Sequence, residues 1–544
     1  MDFAFGTYSN DALKIANYRA GRTGIQHQNT ITPIDPKPDE SVTVHIVTSG
    51  DTAIMQAALY YTTDETIPIG SHGEAQNGTA VSFEMVQVEW DSMVWDYVTH
   101  WQATIPPQAD NTLVQYVISG WTANGREVYA DWPDANEQVQ HAAMIHFKNI
   151  PADTVFTPHY PTQPTVFNYH VDTMQPPTWA KDAIIYQVFI DRFYPGDGHD
   201  WLQTEDFEAA MGGTLWGVHQ KLDYLADLGI NCIWLSPVWA TPSAHGYDTT
   251  DYRRVEPRIG GEAALRAVIE GAHQRGIRVL LDMACNHVSN QHPYFVDALN
   301  NENSPYRDWF FISDQYEHGY KGFFNVASMP EVNLAHAEAR KWMIGNAEYW
   351  LREFNIDGYR LDYANGPGPN FWTFFRRACK AIKPDCLIFG EIIEPPSVLR
   401  QYAGRLDGCL DFPLNDALRR TFAWGTWTAA QLQTFINSHN AYFPPDFVMP
   451  TFVDNHDMDR FSHIAQNNVE RLKQAVTVQM QQPKPVVIYY GCEVGLEQPL
   501  STRDYGLSVS RVPMVWDDAQ DSDLIDFYKQ QIHARAQRTI ITKA

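Results

Sequence analysis

Cysteine is scarce in this chain of 544 residues, and its six copies (Cys232, Cys285, Cys379, Cys386, Cys409 and Cys492) form neither a CxxC pair nor a zinc-like spacing. That argues against a thiolate metal site or a disulfide framework and for small buried thiols in a reduced protein. Positive charge is scarce too: 39 Lys and Arg stand against 65 Asp and Glu, a net charge of −26. Without a basic footprint, neither nucleic acid nor an anionic membrane surface is expected as a partner. No apolar run reaches the roughly 18 residues that a membrane-spanning helix needs. The first residues lack a basic segment followed by an apolar stretch, so no signal peptide is visible and a cytoplasmic location is expected. No GxGxxG opens a helix after the first buried-strand candidate, which disfavours a dinucleotide fold.

What is present is apolar and aromatic material: 44% hydrophobic residues, 13% aromatics, with 17 Trp and 27 Tyr. Such content builds large cores, and a minority of the rings suits the flat faces of sugars. The length suggests roughly two to four domains. Residues 1–40 read as a polar N-terminal extension with one helix over 10–19. From residue 41 to 150 the texture is that of short strands (42–47, 57–61, 81–86, 101–105, 113–118) parted by turn residues, the pattern of an immunoglobulin-like β-sandwich. Trp90, Trp95, Trp101 and Trp121 are its candidates for sugar stacking, with a plain scaffold as the alternative. Pro158, Pro161, Pro164 and Pro176 space residues 151–178, which reads as a stiff linker.

After residue 179 continuously apolar strands alternate with helices. Strands are expected over 184–190, 230–235, 277–281, 356–361, 386–389, 408–412, 449–453 and 486–490, with helices over 218–228, 262–275, 335–354, 371–382 and 524–538. Apolar runs of this kind are parallel strands covered on both faces. Eight of them point to an α/β fold with a closed (β/α)₈ TIM barrel over 179–544 rather than an open sheet. One connection is too long, and residues 288–335 read as an insertion subdomain at the active end of the third strand.

Four strand ends carry carboxylates: Asp282 with Asn286-His287, Arg360-x-Asp362, Gly390-Glu391, and Asn455-His456-Asp457. Strand ends at one mouth of a barrel are where side chains converge on a substrate. Arg360 and Asp362 lie two apart, on one side of their strand, so Arg360 is expected to keep Asp362 ionised. Phe389 stands two residues before Glu391, so no such cation is expected there, and an apolar setting would keep Glu391 protonated.

These segments resemble the four signatures of the α-amylase family of glycoside hydrolases, family 13. His245-Gly246-Tyr247-Asp248, Met329-Pro330-Glu331-Val332-Asn333 and Tyr489-Tyr490-Gly491-Cys492-Glu493 match further family segments, all in family order. The Met-Pro-x-x-Asn form is similar to the neopullulanase, cyclomaltodextrinase and intermediate branches. Two departures stand out: Gly366 follows Ala364-Asn365 where that group usually has Glu, and the family's C-terminal β-domain is expected to be absent.

The resemblance implies a retaining hydrolase acting on α-1,4 and also α-1,6 glucosidic bonds of maltodextrins and starch. It implies Asp362 as nucleophile, Glu391 as general acid/base and Asp457 as transition-state stabiliser, with Tyr247, His287, Arg360 and His456 on the substrate and Asp282 and Asn286 in support. No cofactor is required for the chemistry. A structural calcium ion is a candidate, through Asp191, Asp197 and Asp200 or through Asn286. The implied partner is an α-glucan oligosaccharide or polysaccharide, and the implied state is a monomer or homodimer. A transglycosylase of the same family and an inactive carbohydrate-binding protein are the alternatives.

Overall fold

The strand Ile184–Val188 is buried at every residue, and so are Cys232–Leu235, Gly358–Asp362, Leu387–Gly390 and Val486–Tyr489. Strands covered on both faces need apolar residues throughout, which is why no alternation marks them in the sequence. The computed structural model describes residues 14–15, 18–19, 21–131, 161 and 163–543. The helix expected over 10–19 lies largely outside these residues, as does the stretch 132–160 across the expected sandwich–linker boundary.

The parallel sheet runs Ile184–Val188, Cys232–Leu235, Arg278–Ala284, Gly358–Asp362, Leu387–Gly390 and Gly408–Cys409, with Val486–Tyr489 pairing back to the first strand. The gap between its two ends is filled by the segment expected as the seventh strand. Parallel bridges Gly408↔Val448 and Thr451↔Val486 close the ring there. This segment is an irregular strand because Pro450 has no N–H to give, although its carbonyl still accepts from Asp411 N at 3.0 Å. Gly408 is required at this seam: a Cβ there would lie 1.5 Å from the carbonyl oxygen of Val448.

Helices Gly261–Gln274, Ala337–Glu353 and Gly368–Ile382 return the chain between strands. The helix expected over 218–228 is instead two, Leu215–Gln220 and Leu222–Leu228, the first capped by Thr214 and the second stopped by Gly229 at φ +95°. Inside the ring Trp234, Leu280, Leu387, Phe389, Phe452 and Val487 pack into one cluster, a filled core beneath the mouth.

The N-terminal domain is built of antiparallel strands around a core that includes Val42, Val44, Ile46, Leu59, Trp101 and Tyr116. Its extent differs from the expected 41–150. Ile25–Gln26 and Ile31–Thr32, within the expected extension, pair with Val42–Ser49. The expected linker holds the strand Phe167–Val171, which pairs with residues 112–116 of the strand Thr112–Thr122. Its five residues contain no proline, so nothing stops them from donating to a ladder, and all five are buried. This strand fastens the sandwich to the barrel. Asn168 bonds Asn370 twice (3.2 and 3.0 Å), and Arg376 contacts Asp172 and Asp407, each at 3.4 Å. Both Asn370 and Arg376 sit on the helix that follows Asp362.

Candidate active site

Arg360 is fully buried at the end of the fourth barrel strand. Its register partner on the third strand is Asp282, and on the fifth Phe389, which places Glu391 just beyond it. The guanidinium Nη1 donates to both carboxylate oxygens of Asp282 (2.7 and 2.8 Å) and to Asp362 Oδ1 (2.9 Å), while Nη2 lies 2.7 Å from Glu391 Oε2. The expectation that Glu391 has no cation is therefore corrected. The partner comes across the sheet, a direction that spacing along one strand does not reveal.

One guanidinium against three buried carboxylates does not keep all of them charged. Burial pushes Asp362 up to about 7 and Glu391 up to about 7; Arg360 pulls both down, while Asp282 and Asp457 raise Asp362, and Asp362 and Asp457 raise Glu391. Asp282, buried and drawn down by Arg360, rises to about 6. The expectation that Arg360 simply holds Asp362 ionised is corrected: burial outweighs it. Two acids in contact with one cation titrate as a pair, and near neutrality that pair shares one proton.

Asp457 is the charged member of the group. Burial would raise it, but His456 and Arg511 outweigh burial and hold it below the usual carboxylate range. Arg511 Nη2 lies 2.6 Å from Asp457 Oδ1. Arg511 escaped the sequence analysis because it belongs to no motif and reaches the site only through the loop after the eighth strand.

His456 was expected on a sugar hydroxyl. Its side chain is fully buried instead, with both ring nitrogens occupied: Nδ1 at 2.7 Å from Gln187 Nε2, and Nε2 at 2.6 Å from the Tyr247 hydroxyl and 3.1 Å from Asp457 Oδ2. It therefore supports Tyr247 and Asp457 from behind. The Tyr247 ring runs nearly parallel to it (11°, centroids 5.4 Å apart), faces the cleft, and gives its hydroxyl to Asp282 at 2.9 Å.

His287 lines the cleft, stacked on Phe323 at 4.6 Å. Burial lowers it to about 3, so it is neutral, and among the described residues its Nε2 makes no close hydrogen bond. An enclosed imidazole nitrogen without a partner is costly, and a substrate hydroxyl would satisfy it. Asn286 packs under Gly366.

These groups open into a cleft of about 360 Å³ that contains Asp362, Glu391, Asp457, Tyr247 and His287. The insertion walls one side. It folds back on the end of the third strand through the bridge His287↔Glu331, closes on itself through Gly322↔Pro330, and brings Phe323, Phe324 and Met329 to the cleft. Phe324 holds a left-handed backbone (φ +48°) and Tyr363 another (φ +40°), and strain of this kind gathers at functional sites. Neither aromatic was singled out from sequence, since a Phe or Tyr in a long loop carries no pattern.

Among the calcium candidates, Asp191 does not fit the ion. The Asp191 carboxylate pairs with Arg192, accepts from Met211 N at 2.9 Å and has Arg258 at 3.6 Å, so a cation would meet two guanidiniums. Asp197 accepts from Gln220 at 3.0 Å, and among the described residues no group of three or more His, Cys, Asp or Glu could hold a metal. The six cysteines are all buried and free, and among the described residues no helix is long and apolar enough to cross a membrane.

Comparison with known proteins agrees with this geometry. A family profile described as alpha amylase, catalytic domain, matches residues 187–542. "Alpha-amylase 2" of Dictyoglomus thermophilum is 34% identical over 430 residues, which is 78% of this chain and 76% of that protein. "Intracellular maltogenic amylase" of Bacillus subtilis is 34% identical over 395 residues, 69% of this chain and 66% of its own length. A solved structure titled "Cyclomaltodextrinase" superposes with a TM-score of 0.63 at 27% identity, covering 94% of this chain and 84% of that one. Carboxylates gathered at the mouth of a barrel, and a profile match across that whole barrel, have one common explanation: the chain belongs to the alpha-amylase family of glycoside hydrolases.

Proposed function

We propose that this enzyme cleaves α-1,4-glucosidic bonds of maltodextrins, and α-1,6 bonds as well, by double displacement with retention of configuration. The observation that carries the mechanism is the anchoring of Asp362 and Glu391 to one guanidinium. Both carboxyl groups are thereby held on one cation, which supports direct attack on the anomeric carbon, a step that needs the two roughly 5 Å apart rather than at the wider spacing that admits a water between them.

Asp362 attacks the anomeric carbon as the bond to the leaving oxygen breaks, and Glu391 gives that oxygen its proton. The shared proton of the pair is thus on Glu391 in the productive form. Glu391 then takes a proton from water, the water oxygen bonds to the anomeric carbon, and Asp362 leaves. Asp457, kept ionised by Arg511, grips ring hydroxyls more tightly as the sugar flattens toward an oxocarbenium ion. His287 and Tyr247 hold the same sugar. Three carboxylates in one cleft speak against an inactive binding protein.

Asp362→Asn should lower turnover of maltoheptaose by several orders of magnitude while binding stays measurable by calorimetry; undiminished turnover would sink the assignment. Transfer to a second sugar is favoured by the apolar side chains of Phe323, Phe324, Met329 and Ile393 that line the same cleft as the acid. Products longer than maltoheptaose would establish transfer, and shorter ones alone hydrolysis. Light scattering would distinguish monomer from homodimer. An intracellular setting is supported by the buried free cysteines and by the printed name of the Bacillus subtilis relative.

A further inference from the structure

Glu394 lies three residues past Glu391 and takes no part in the steps above. It is buried, and among the described residues no salt bridge reaches it. With burial alone acting on it, the carboxyl is pushed up to about 8 and is uncharged near neutrality. A buried carboxyl with no cation is costly unless it serves as a hydrogen-bonding group. Here Oε1 accepts from Asn365 Nδ2 at 3.2 Å. Asn365 lines the cleft three residues past Asp362, and among the described residues its own Oδ1 is enclosed without a partner.

The position of this pair defines its side of the cleft. Asn365 and Glu394 follow the fourth and fifth barrel strands, whereas Tyr247, Asp457 and Arg511 follow the second, seventh and eighth. A general acid delivers its proton to the leaving oxygen, so the sugar beyond the scissile bond lies on the Glu391 side. The next residue along, Gly366, has no room for a side chain, because a Cβ would stand 1.9 Å from Asn286 Oδ1. Nothing at 366 can grip Asn365, and Glu394 does so from behind.

We propose that Glu394 is a positioning residue that holds Asn365 in the wall of the leaving-group side, so that the sugar next to the scissile bond on that side is recognised through both. This rests on the reading that Asp362 and Glu391 cleave maltodextrins. Two donors separate the effects: maltohexaose, which places sugars on the leaving-group side, and α-maltosyl fluoride, which places only a fluorine there.

In Glu394→Leu and in Asn365→Ala, kcat/KM for maltohexaose should fall about five- to tenfold, mostly through KM, the worth of one or two hydrogen bonds. For α-maltosyl fluoride it should stay within about twofold of the parent enzyme. Glu394→Gln keeps an uncharged acceptor for Asn365 and should restore the maltohexaose value. Equal losses on both donors would mean a general structural role and overturn the proposal, as would Asn365→Ala without loss on maltohexaose. A parent enzyme inert toward both donors would instead overturn the underlying reading of function.

Discussion

Arg360 serves three carboxylates at once, and removing it leaves all three buried and uncompensated. Breaking such a group costs about 3–5 kcal/mol, so Arg360→Met should lower the melting temperature sharply and abolish turnover, with rates and calorimetry as the check. The raised carboxyls also bear on stability. Asp362 and Glu391 bind protons more tightly folded than unfolded. Their contribution to stability is whole below about 4, where the unfolded groups are protonated. It is lost as pH rises through about 7, their folded value. Asp362→Asn should therefore raise the melting temperature, and by more at pH 8 than at pH 5; an equal shift at both would refute the linkage. The same pair predicts a bell-shaped rate profile: below it both are protonated and the nucleophile is lost, above it both are ionised and the acid is lost. Arg511→Ala should move the acid limb upward, because Asp457 then loses the partner that offsets its burial.

At the scale of elements, the barrel strands were legible because each is a short apolar run, four of them closed by a carboxylate. The insertion was legible because the interval after Asp282 is too long for a turn. The irregular seventh strand and the strand Phe167–Val171 were less so. Pro450 suppresses regular pairing at a place where the apolar pattern continues, and the surrounding prolines disguise a proline-free strand as linker. Phe389, fully buried inside the ring and opposite Arg360 in register, carries both packing and site. Phe389→Ala should cost about 3–5 kcal/mol, seen as a lower denaturation midpoint, and activity should fall with it as the floor under Arg360 loosens. Gly366→Ala should cost about 1–3 kcal/mol, since Asn286 must move; an unchanged midpoint would show that it can yield freely.

Across the whole molecule, sandwich and barrel meet at the helix Gly368–Ile382, whose Arg376 is buried between Asp172 and Asp407. Arg376→Met removes the cation that bridges those two carboxylates, leaving Asp172 to His170 and Asp407 to Lys380. It should split one thermal transition into two, the sandwich melting apart from the barrel, and a single undivided transition would show that other contacts carry the junction. The sequence by itself determined the fold class, the family and the acids, because apolar runs, their order and the residues closing them are local facts. The tertiary structure alone decided which cation serves which acid, that burial outweighs Arg360, that His456 faces inward, and that Arg511 reaches Asp457. Each of these depends on distances across strands and on exclusion of water, and neither is a property of residues near one another in the chain.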